Sequence, residues 1–182
     1  MIKNEIINMM DGDSRSIHYS CRLDTEIYRF LADEAGQKSI SMNNLLNHMT
    51  REYVMKKNFE KIGSVLMCKD VARGVFDMAN DKQLIKLAEK LGSNNAVDYV
   101  GMLYHDIDKD AILQFLDLWG RRFHGYEHKN DDNVHSFSIP HDINEKYSIF
   151  MKKFITSFVE STINESTKVQ STSRVVTFSI MK

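Results

Sequence analysis

Histidine is concentrated in one part of the chain, where imidazole groups can bind a metal ion or transfer protons. Five of the seven histidines lie between residues 105 and 141, and three aspartates accompany them: His105, His124, His128, His135 and His141, with Asp106, Asp108 and Asp142. His124 and His128 have the four-residue spacing of ligands on one helix face, but Gly125 disfavours a helix there. The sequence has no HExxH or paired-cysteine motif. We therefore predict no metal site, with His124, His128 and His135 as weak candidates only.

Sequence signatures of catalysis are also missing. The chain has no GxSxG, GxGxxG or GxxxxGK pattern, which would indicate a nucleophile, a dinucleotide or a bound phosphate. Its two cysteines, Cys21 and Cys68, form no CxxC pair, and we interpret both as small buried apolar residues. We expect no catalytic residues, no enzymatic activity and no cofactor. A metal or small-molecule effector stays open as an alternative.

Residues 16–23 alternate polar and apolar side chains, as a half-buried β-strand does. The polar face can form hydrogen bonds and the apolar face can be buried; the polar residues are Ser16, His18, Ser20 and Arg22, and the apolar ones are Ile17, Tyr19, Cys21 and Leu23. No hairpin turn follows this strand, and a single short strand leaves its backbone N–H and C=O groups unpaired. The simplest partner is the same strand of a second chain, which predicts an obligate homodimer or a higher homo-oligomer.

Two helical patterns follow directly. Asp24 is a good N-cap for the first helix, and Gly36 offers its C-cap. Ser41 is the predicted N-cap of a second helix that should run to about Lys57. Apolar residues recur at three- and four-residue spacings in both helices: Ile27, Phe30, Leu31 and Ala35, then Met42, Leu45, Leu46, Met49, Tyr53 and Val54.

This order of strand, helix, short turn and helix resembles the ribbon-helix-helix DNA-binding family, which includes the Arc and Met repressors. The resemblance covers residues 16–58, about a quarter of the chain, and rests on Cys21–Leu23, Asp24–Tyr28, Gly36 and Ser41–Leu46. It implies an intertwined dimer whose paired strands enter the major groove of DNA and read base edges with their outward side chains.

The resemblance also implies roles for particular residues. The base-reading side chains would be His18, Ser20 and Arg22, with Arg22 suited to a bidentate contact with guanine. The N-terminus of the second helix would bind a phosphate. The phosphate-binding residues would be Arg15, Lys38, Ser41 and Asn43.

The remaining residues, 59–182, predict an α+β domain that serves as an effector or oligomerisation unit. A strand-like run at 62–68 precedes helices over 70–92, 95–104 and 108–123, with residues 92–95 ending the first run. A hairpin follows over 126–139, in which His135, Phe137 and Ile139 share a face. A long amphipathic helix over 143–163 and a strand over 174–181 close the chain.

Composition limits the possible partners. The chain is 42% hydrophobic and 27% charged with a net charge of −1, and residues 1–58 carry eight basic and eight acidic side chains, so any DNA affinity must come from a local patch. No apolar run approaches the length of a membrane span, and no signal-peptide pattern is present, so we expect a cytoplasmic protein without a membrane partner.

We expect a flexible arm over residues 1–15, a ribbon-helix-helix domain over 16–58 and an α+β domain over 59–182. The predicted function is sequence-specific binding of double-stranded DNA by a homodimeric transcriptional regulator. One alternative is an antitoxin-like autoregulator that binds a protein partner. Another is an assembly or small-ligand-binding protein that does not contact DNA.

Overall fold

A computed structural model of the protein describes residues 17, 19–64, 67–104, 106–131, 134–163 and 167–181. The chain divides into two compact units, Met1–Lys61 and Ile62–Lys182. The described residues combine helices with a four-stranded antiparallel sheet, so the predicted α+β class is confirmed at that level. The arm predicted over residues 1–15 lies outside the described residues.

The N-terminal unit contains α1 (Thr25–Gln37) and α2 (Met42–Lys61). Asp24 occupies the N-cap position of α1, as predicted, although its side chain makes no capping hydrogen bond. Helix α2 continues to Lys61, beyond the predicted end near Lys57. The buried core between the two helices is small: Leu31, Ala35 and Leu45, with Ile40, Met42 and Leu46 packed against them.

The end of α1 differs from the prediction. Gly36 is inside the helix, and the left-handed residue that ends it is Ser39, with φ of 53°. The Ile40 N–H donates to the Ala35 carbonyl at 3.0 Å and the Ser39 N–H donates to the Gly36 carbonyl at 3.1 Å, the hydrogen-bond pair of a Schellman motif. Ile40 then packs on the small core, as the hydrophobic contact of that motif requires. The contact of Ile40 with the core therefore sets the residue at which α1 ends. A helix that ended at Gly36 would end too early in the chain for Ile40 to make that contact.

The C-terminal unit begins with helices. They are α3 (Lys69–Met78), α4 (Asp81–Lys90), a π-helical turn (Leu91–Asn95), α5 (Ala96–Tyr104) and α6 (Lys109–Gly120). The Asn80 side chain caps α4 by accepting from the Lys82 N–H, and Asp108 caps α6 by accepting from the Ala111 N–H. The strand predicted at 62–68 is wrong for its described residues, because Ile62 and Gly63 form a turn in which Gly63 has φ of 75°.

Strands and the longest helix of the unit follow. They are β1 (Glu127–Asp131), β2 (Val134–Pro140), α7 (Glu145–Ile163), β3 (Lys168–Ser171) and β4 (Val175–Met181), and the strand order in the sheet is β1-β2-β4-β3. The predicted hairpin, long helix and final strand are confirmed, whereas β3 was not predicted. Phe137 lies opposite Phe178, and Ile139 lies opposite Val176.

Helices cover one face of this sheet. Helix α6 packs on β2, and α7 packs on β3 and β4. The core between them includes Phe137, Phe178, Ile155 and Phe158, and Trp119 packs at its border against Phe154 with 5.4 Å between ring centroids. The other face is polar; it carries the hydroxyls of Ser136, Ser138, Thr177 and Ser179.

Residues 92–95, predicted as a break, are instead helical. Gly92 is buried against α7, where an added Cβ would clash with the Phe154 carbonyl oxygen and lie 3.1 Å from the Phe158 nitrogen. The π-helical turn thus lets the chain continue from α4 into α5 while its backbone touches the backbone of α7. Glycine is needed at this position for its size.

We predict that Gly92→Ala destabilises the C-terminal unit by about 1–3 kcal/mol, because the methyl group meets backbone atoms that cannot rotate away. Urea denaturation followed by far-UV circular dichroism measures this. The matched control is Gly101→Ala in α5, where the nearest atom to an added Cβ is Ile107 Cδ1 at an ordinary 3.8 Å. Equal stability of the two variants would contradict the close approach at Gly92.

At the end of α1 we expect two substitutions to stabilise the helix, one that removes a glycine and one that introduces a glycine. Gly36→Ala adds a methyl group that meets nothing within 4 Å, and Ser39→Gly relieves a left-handed backbone, each by roughly 0.5–1 kcal/mol. Slower hydrogen exchange of the α1 amides in the full chain would show it. Gly63→Ala, where φ is 75°, is the opposite case: it should destabilise the turn after α2, which urea denaturation of the full chain measures. Faster hydrogen exchange of the α1 amides in Gly36→Ala would indicate that Gly36, and not Ser39, ends the helix.

Candidate nucleic-acid interface and the Asp117 cluster

The residues predicted to read bases precede α1. Ser20 and Arg22 are exposed, and His18, like the predicted phosphate ligand Arg15, lies outside the described residues. No strand is assigned to the described residues between 17 and 24 of the single chain. The predicted pairing is with a second chain, so the ribbon stays a prediction.

The remaining predicted phosphate ligands surround the turn before α2. Ser41 is the N-cap, as predicted: its Oγ accepts from the Asn44 N–H at 3.2 Å. Asn43 is exposed in the first turn, where backbone N–H groups lack acceptors within the helix. Lys38 Nζ is 2.7 Å from Glu34 Oε1, and this hydrogen bond raises the pKa of Lys38. Both side chains are at the surface, so this ion pair is weak.

Apolar side chains are exposed along the same unit. Ile17 is 89% exposed, Tyr19 85% and Phe30 68%, and Ile27, Met49 and Tyr53 are also largely in contact with solvent. Ile17 and Tyr19 belong to the apolar set of the predicted strand. Cys21 is exposed as well, which corrects its interpretation as a buried residue, and the same holds for Cys68. The described part of this unit buries four apolar residues, Leu31, Ala35, Leu45 and Phe59, and leaves eight large apolar side chains exposed in the single chain.

A second polar site in the C-terminal unit is centred on Asp117 of α6. Its Oδ1 accepts from the Tyr126 hydroxyl at 2.9 Å and lies 3.1 Å from His128 Nδ1, while its Oδ2 accepts from Arg121 Nε at 2.7 Å. Burial, together with the charge of Asp117, raises the pKa of Tyr126, so the phenol keeps its proton and donates. We call Asp117, Tyr126, His128 and His135 the Asp117 cluster.

The two histidines of the cluster are connected in series. His128 Nε2 lies 3.0 Å from His135 Nδ1, so one proton occupies the space between the rings. The His128 ring stacks on Phe137, with 4.2 Å between centroids and 11° between planes. The Asp117 carboxylate accepts a hydrogen bond from His128 Nδ1, so Asp117, His128 and His135 form a hydrogen-bonded chain. The group at His128 Nε2 is another imidazole, where a catalytic triad would have a hydroxyl or thiol nucleophile.

The weak metal candidates are therefore only partly brought together. His128 and His135 are adjacent, whereas His124 is exposed in the turn after α6. Both ring nitrogens of His128 are engaged, by Asp117 and by His135. Among the residues that the structure describes, no group of three or more His, Cys, Asp or Glu side chains could hold a metal ion.

Asp117 and Tyr126 were missed by the sequence reasoning. The available signal was an acidic residue between two apolar ones, Leu116 and Leu118, both of which are buried. A carboxylate in that setting needs hydrogen-bond donors from elsewhere in the chain. Arg121, four residues further on, is one such donor, but sequence alone does not reveal that Tyr126 and His128 also contact this carboxylate.

His141, the last of the clustered histidines, is buried at the end of β2. The Ile143 N–H donates to its Nδ1 at 3.1 Å, so the proton is on Nε2, which donates to Ser148 Oγ at 2.8 Å. Burial lowers the pKa of His141 to about 4. This histidine is a neutral structural link between the end of β2 and α7.

We predict that His141 makes the fold sensitive to acid. Between pH 6.5 and about 4 the unfolded chain takes up a proton at His141 and the folded chain does not, so stability falls as the pH falls, by roughly 3 kcal/mol over that range. Urea denaturation at a series of pH values measures the slope. His141→Gln should reduce it, whereas His124→Gln, at an exposed histidine, should not. An unchanged slope in His141→Gln would assign the acid sensitivity to other groups.

None of the helices within the described ranges is long and apolar enough to cross a membrane. Comparison with protein-family models, with curated proteins and with solved structures finds no match to this chain.

Proposed function

We propose that this protein is a homodimeric, sequence-specific DNA-binding regulator in which the N-terminal unit contacts DNA. The observation that supports this most strongly is the uncovered apolar surface of that unit. Ile17, Tyr19, Ile27 and Phe30 are exposed in the single chain, whereas the buried apolar cluster between α1 and α2 has only three residues. An exposed apolar surface of this kind marks an interaction site.

The proposed occupant of this surface is a second copy. The apolar residues before α1 alternate with polar ones, and pairing of two such segments across a two-fold axis satisfies both sets of backbone groups. It also covers Ile27 and Phe30, whose helix follows directly. Dimer formation would thereby complete a core that one chain cannot form.

Antiparallel pairing of the same segment directs Ser20 and Arg22, with His18, to the side opposite the apolar residues. A two-stranded ribbon fits the major groove, and Arg22 can donate two hydrogen bonds to guanine O6 and N7. The capped N-terminus of α2, with Ser41 and Asn43, adds backbone donors for a phosphate. These contacts depend on a local arrangement, since the basic and acidic residues of 1–58 are equal in number.

The C-terminal unit has an effector or oligomerisation role in this proposal. Its core is larger than that of the N-terminal unit and includes residues from α5, α6, α7 and all but the first strand. It can therefore hold its own shape while the N-terminal unit assembles with a partner.

We predict that Arg22→Ala abolishes sequence discrimination and leaves the dimer intact, with a loss of roughly 1–3 kcal/mol for the preferred site. Fluorescence anisotropy at several salt concentrations, with labelled duplexes from the region upstream of the gene and a random-sequence duplex, measures it. Arg29→Ala removes the same charge from an exposed position of α1 and is the matched control. Binding of wild type that is no tighter to the upstream duplexes than to random DNA would contradict the proposal.

The dimer itself is tested with Phe30→Asp. This variant places a carboxylate on the exposed apolar surface, and it should produce monomers in sedimentation velocity together with loss of DNA binding. Retention of the dimer would mean that another surface holds the two chains. Dissociation caused by Arg22→Ala would instead indicate that the strand register is wrong by one residue.

A further inference from the structure

A single peptide group connects helix α3 to a buried histidine in the C-terminal unit. It is the peptide between Asp142 and Ile143, directly after β2. Its carbonyl oxygen accepts from Arg73 Nη2 of α3 at 2.7 Å, and its N–H donates to Nδ1 of His141 at 3.1 Å. Because a peptide group is planar and rigid, any rotation that moves the N–H also moves the oxygen. We call this group the 142–143 peptide.

Arg73 is the main attachment of the first half of α3. Ala72 is the one residue of the helix that is buried, and the aromatic contact of the helix is made further along, by Phe76 against Tyr147 at 4.8 Å between ring centroids. Arg73 Nε also donates to the Ile143 carbonyl, at 3.1 Å. Both bonds end on main-chain oxygens of the same loop. Movement of that loop therefore removes both of them.

The second half of α3 is held by other residues. Asp77 accepts from the Asn144 amide at 2.8 Å, and Lys146 donates to the Ala79 carbonyl at 2.8 Å. These bonds, like the contact of Phe76, do not include the 142–143 peptide. A change in that peptide should therefore loosen the first turns of α3 and leave its end in place.

Protonation of His141 is incompatible with the observed orientation of the 142–143 peptide. The ring carries its proton on Nε2, which donates to Ser148 Oγ at 2.8 Å, so an added proton must go to Nδ1. Nδ1–H and the Ile143 N–H would then face each other, and two donors cannot form a hydrogen bond. Rotation of the peptide satisfies the charged ring, because it presents the Asp142 carbonyl oxygen instead. The same rotation takes that oxygen away from Arg73.

The other charged and titratable groups around the ring keep their charge state while His141 changes. A hydrogen bond from Lys69 lowers the pKa of Asp142, and burial raises the pKa of Tyr147 to about 12. Lysine and arginine are cations throughout the acidic range. Burial lowers the pKa of His141 to about 4. The groups come from α3, the loop after β2, the turn before β4, and α7: Lys69, Arg73, Asp142, Arg174 and Tyr147.

We propose that the 142–143 peptide is a two-state switch, in which protonation of His141 rotates the peptide, breaks its bond with Arg73 and frees the first half of α3. Helix α3 is the first helix of the C-terminal unit, and residues 62–68 join it to α2. Release of its first turns adds them to this connecting segment. The protonation state of one buried ring would thereby set how many residues connect the two units.

Hydrogen exchange of the full chain tests the switch. Amide exchange is measured by NMR at pH 7 and pH 4 and corrected for the intrinsic effect of pH. We expect the amides of residues 72–75 to exchange about tenfold faster, relative to those of α7, at the lower pH, because bonds from a charged donor are lost. In His141→Gln this ratio should not change with pH. That variant keeps every carboxylate of the chain, so an acid effect of any carboxylate would remain in it. His124→Gln, at an exposed histidine, is the matched control and should behave as wild type.

Arg73→Ala tests whether the signal passes through the guanidinium. Its residues 72–75 should already exchange about tenfold faster at pH 7, and acid should add nothing further. Lys86→Ala removes a cation from an exposed position of α4 and should leave α3 unchanged. An acid response that persists in His141→Gln or in Arg73→Ala would overturn the proposal. Equal acceleration of α3 and α7 in wild type would overturn it as well, since that is opening of the whole unit.

Discussion

Burial of α7 is the interaction on which the C-terminal unit depends. Met151, Ile155, Phe158 and Val159 are completely buried, and the helix packs on both the sheet and the preceding helices. An antiparallel sheet with one apolar face and one polar face needs a cover on the apolar side only. Helix α7 supplies much of that cover, and the π-helical turn fits against it only because Gly92 has no side chain. The position of α7 thus determines how the helical layer and the sheet meet.

The two units differ in how much apolar surface each buries within one chain to offset the conformational entropy that is lost on folding. In the C-terminal unit a continuous cluster of aromatic and aliphatic side chains is buried within one chain. In the described part of the N-terminal unit, four apolar residues are buried, and a larger set of large apolar side chains is exposed. A small domain of this kind usually needs a further source of stability, and association is one such source. This contrast connects the fold to the proposed dimer without any appeal to charge.

Strong periodicity is what made parts of this fold predictable. The stripe of α7 and the alternation of β2 and β4 extend over many residues, and the structure has these elements where the sequence places them. Strand β3 has four residues and one buried side chain, Val169, so its pattern is too short to recognise. Positions decided by tertiary contacts were also missed: Ser39 takes the left-handed conformation because Ile40 must reach the core, although Gly36 is the better residue for it.

The same reasoning applies to the candidate site. The sequence located the histidine-rich segment and the hairpin, but the partner of His128 is Asp117, on a preceding helix. Side chains that meet across elements depend on packing, which spacing along the chain does not encode. For the N-terminal unit, Ser41 capping followed from residue type alone, because an N-cap acts on its own helix. The roles of Ser20 and Arg22 depend on a second chain and on DNA, so they stay predictions.

The position of the one tryptophan has a spectroscopic consequence. Trp119 lies against Phe123 and Phe154, at the border of the C-terminal core, and the N-terminal unit has none. Intrinsic indole emission therefore reports on the contact between α6 and α7 alone. Tyrosine is shared between the units: Tyr19, Tyr28 and Tyr53 belong to the N-terminal unit, and the other four tyrosines belong to the C-terminal unit. The chain thus carries an indole label for its C-terminal unit alone.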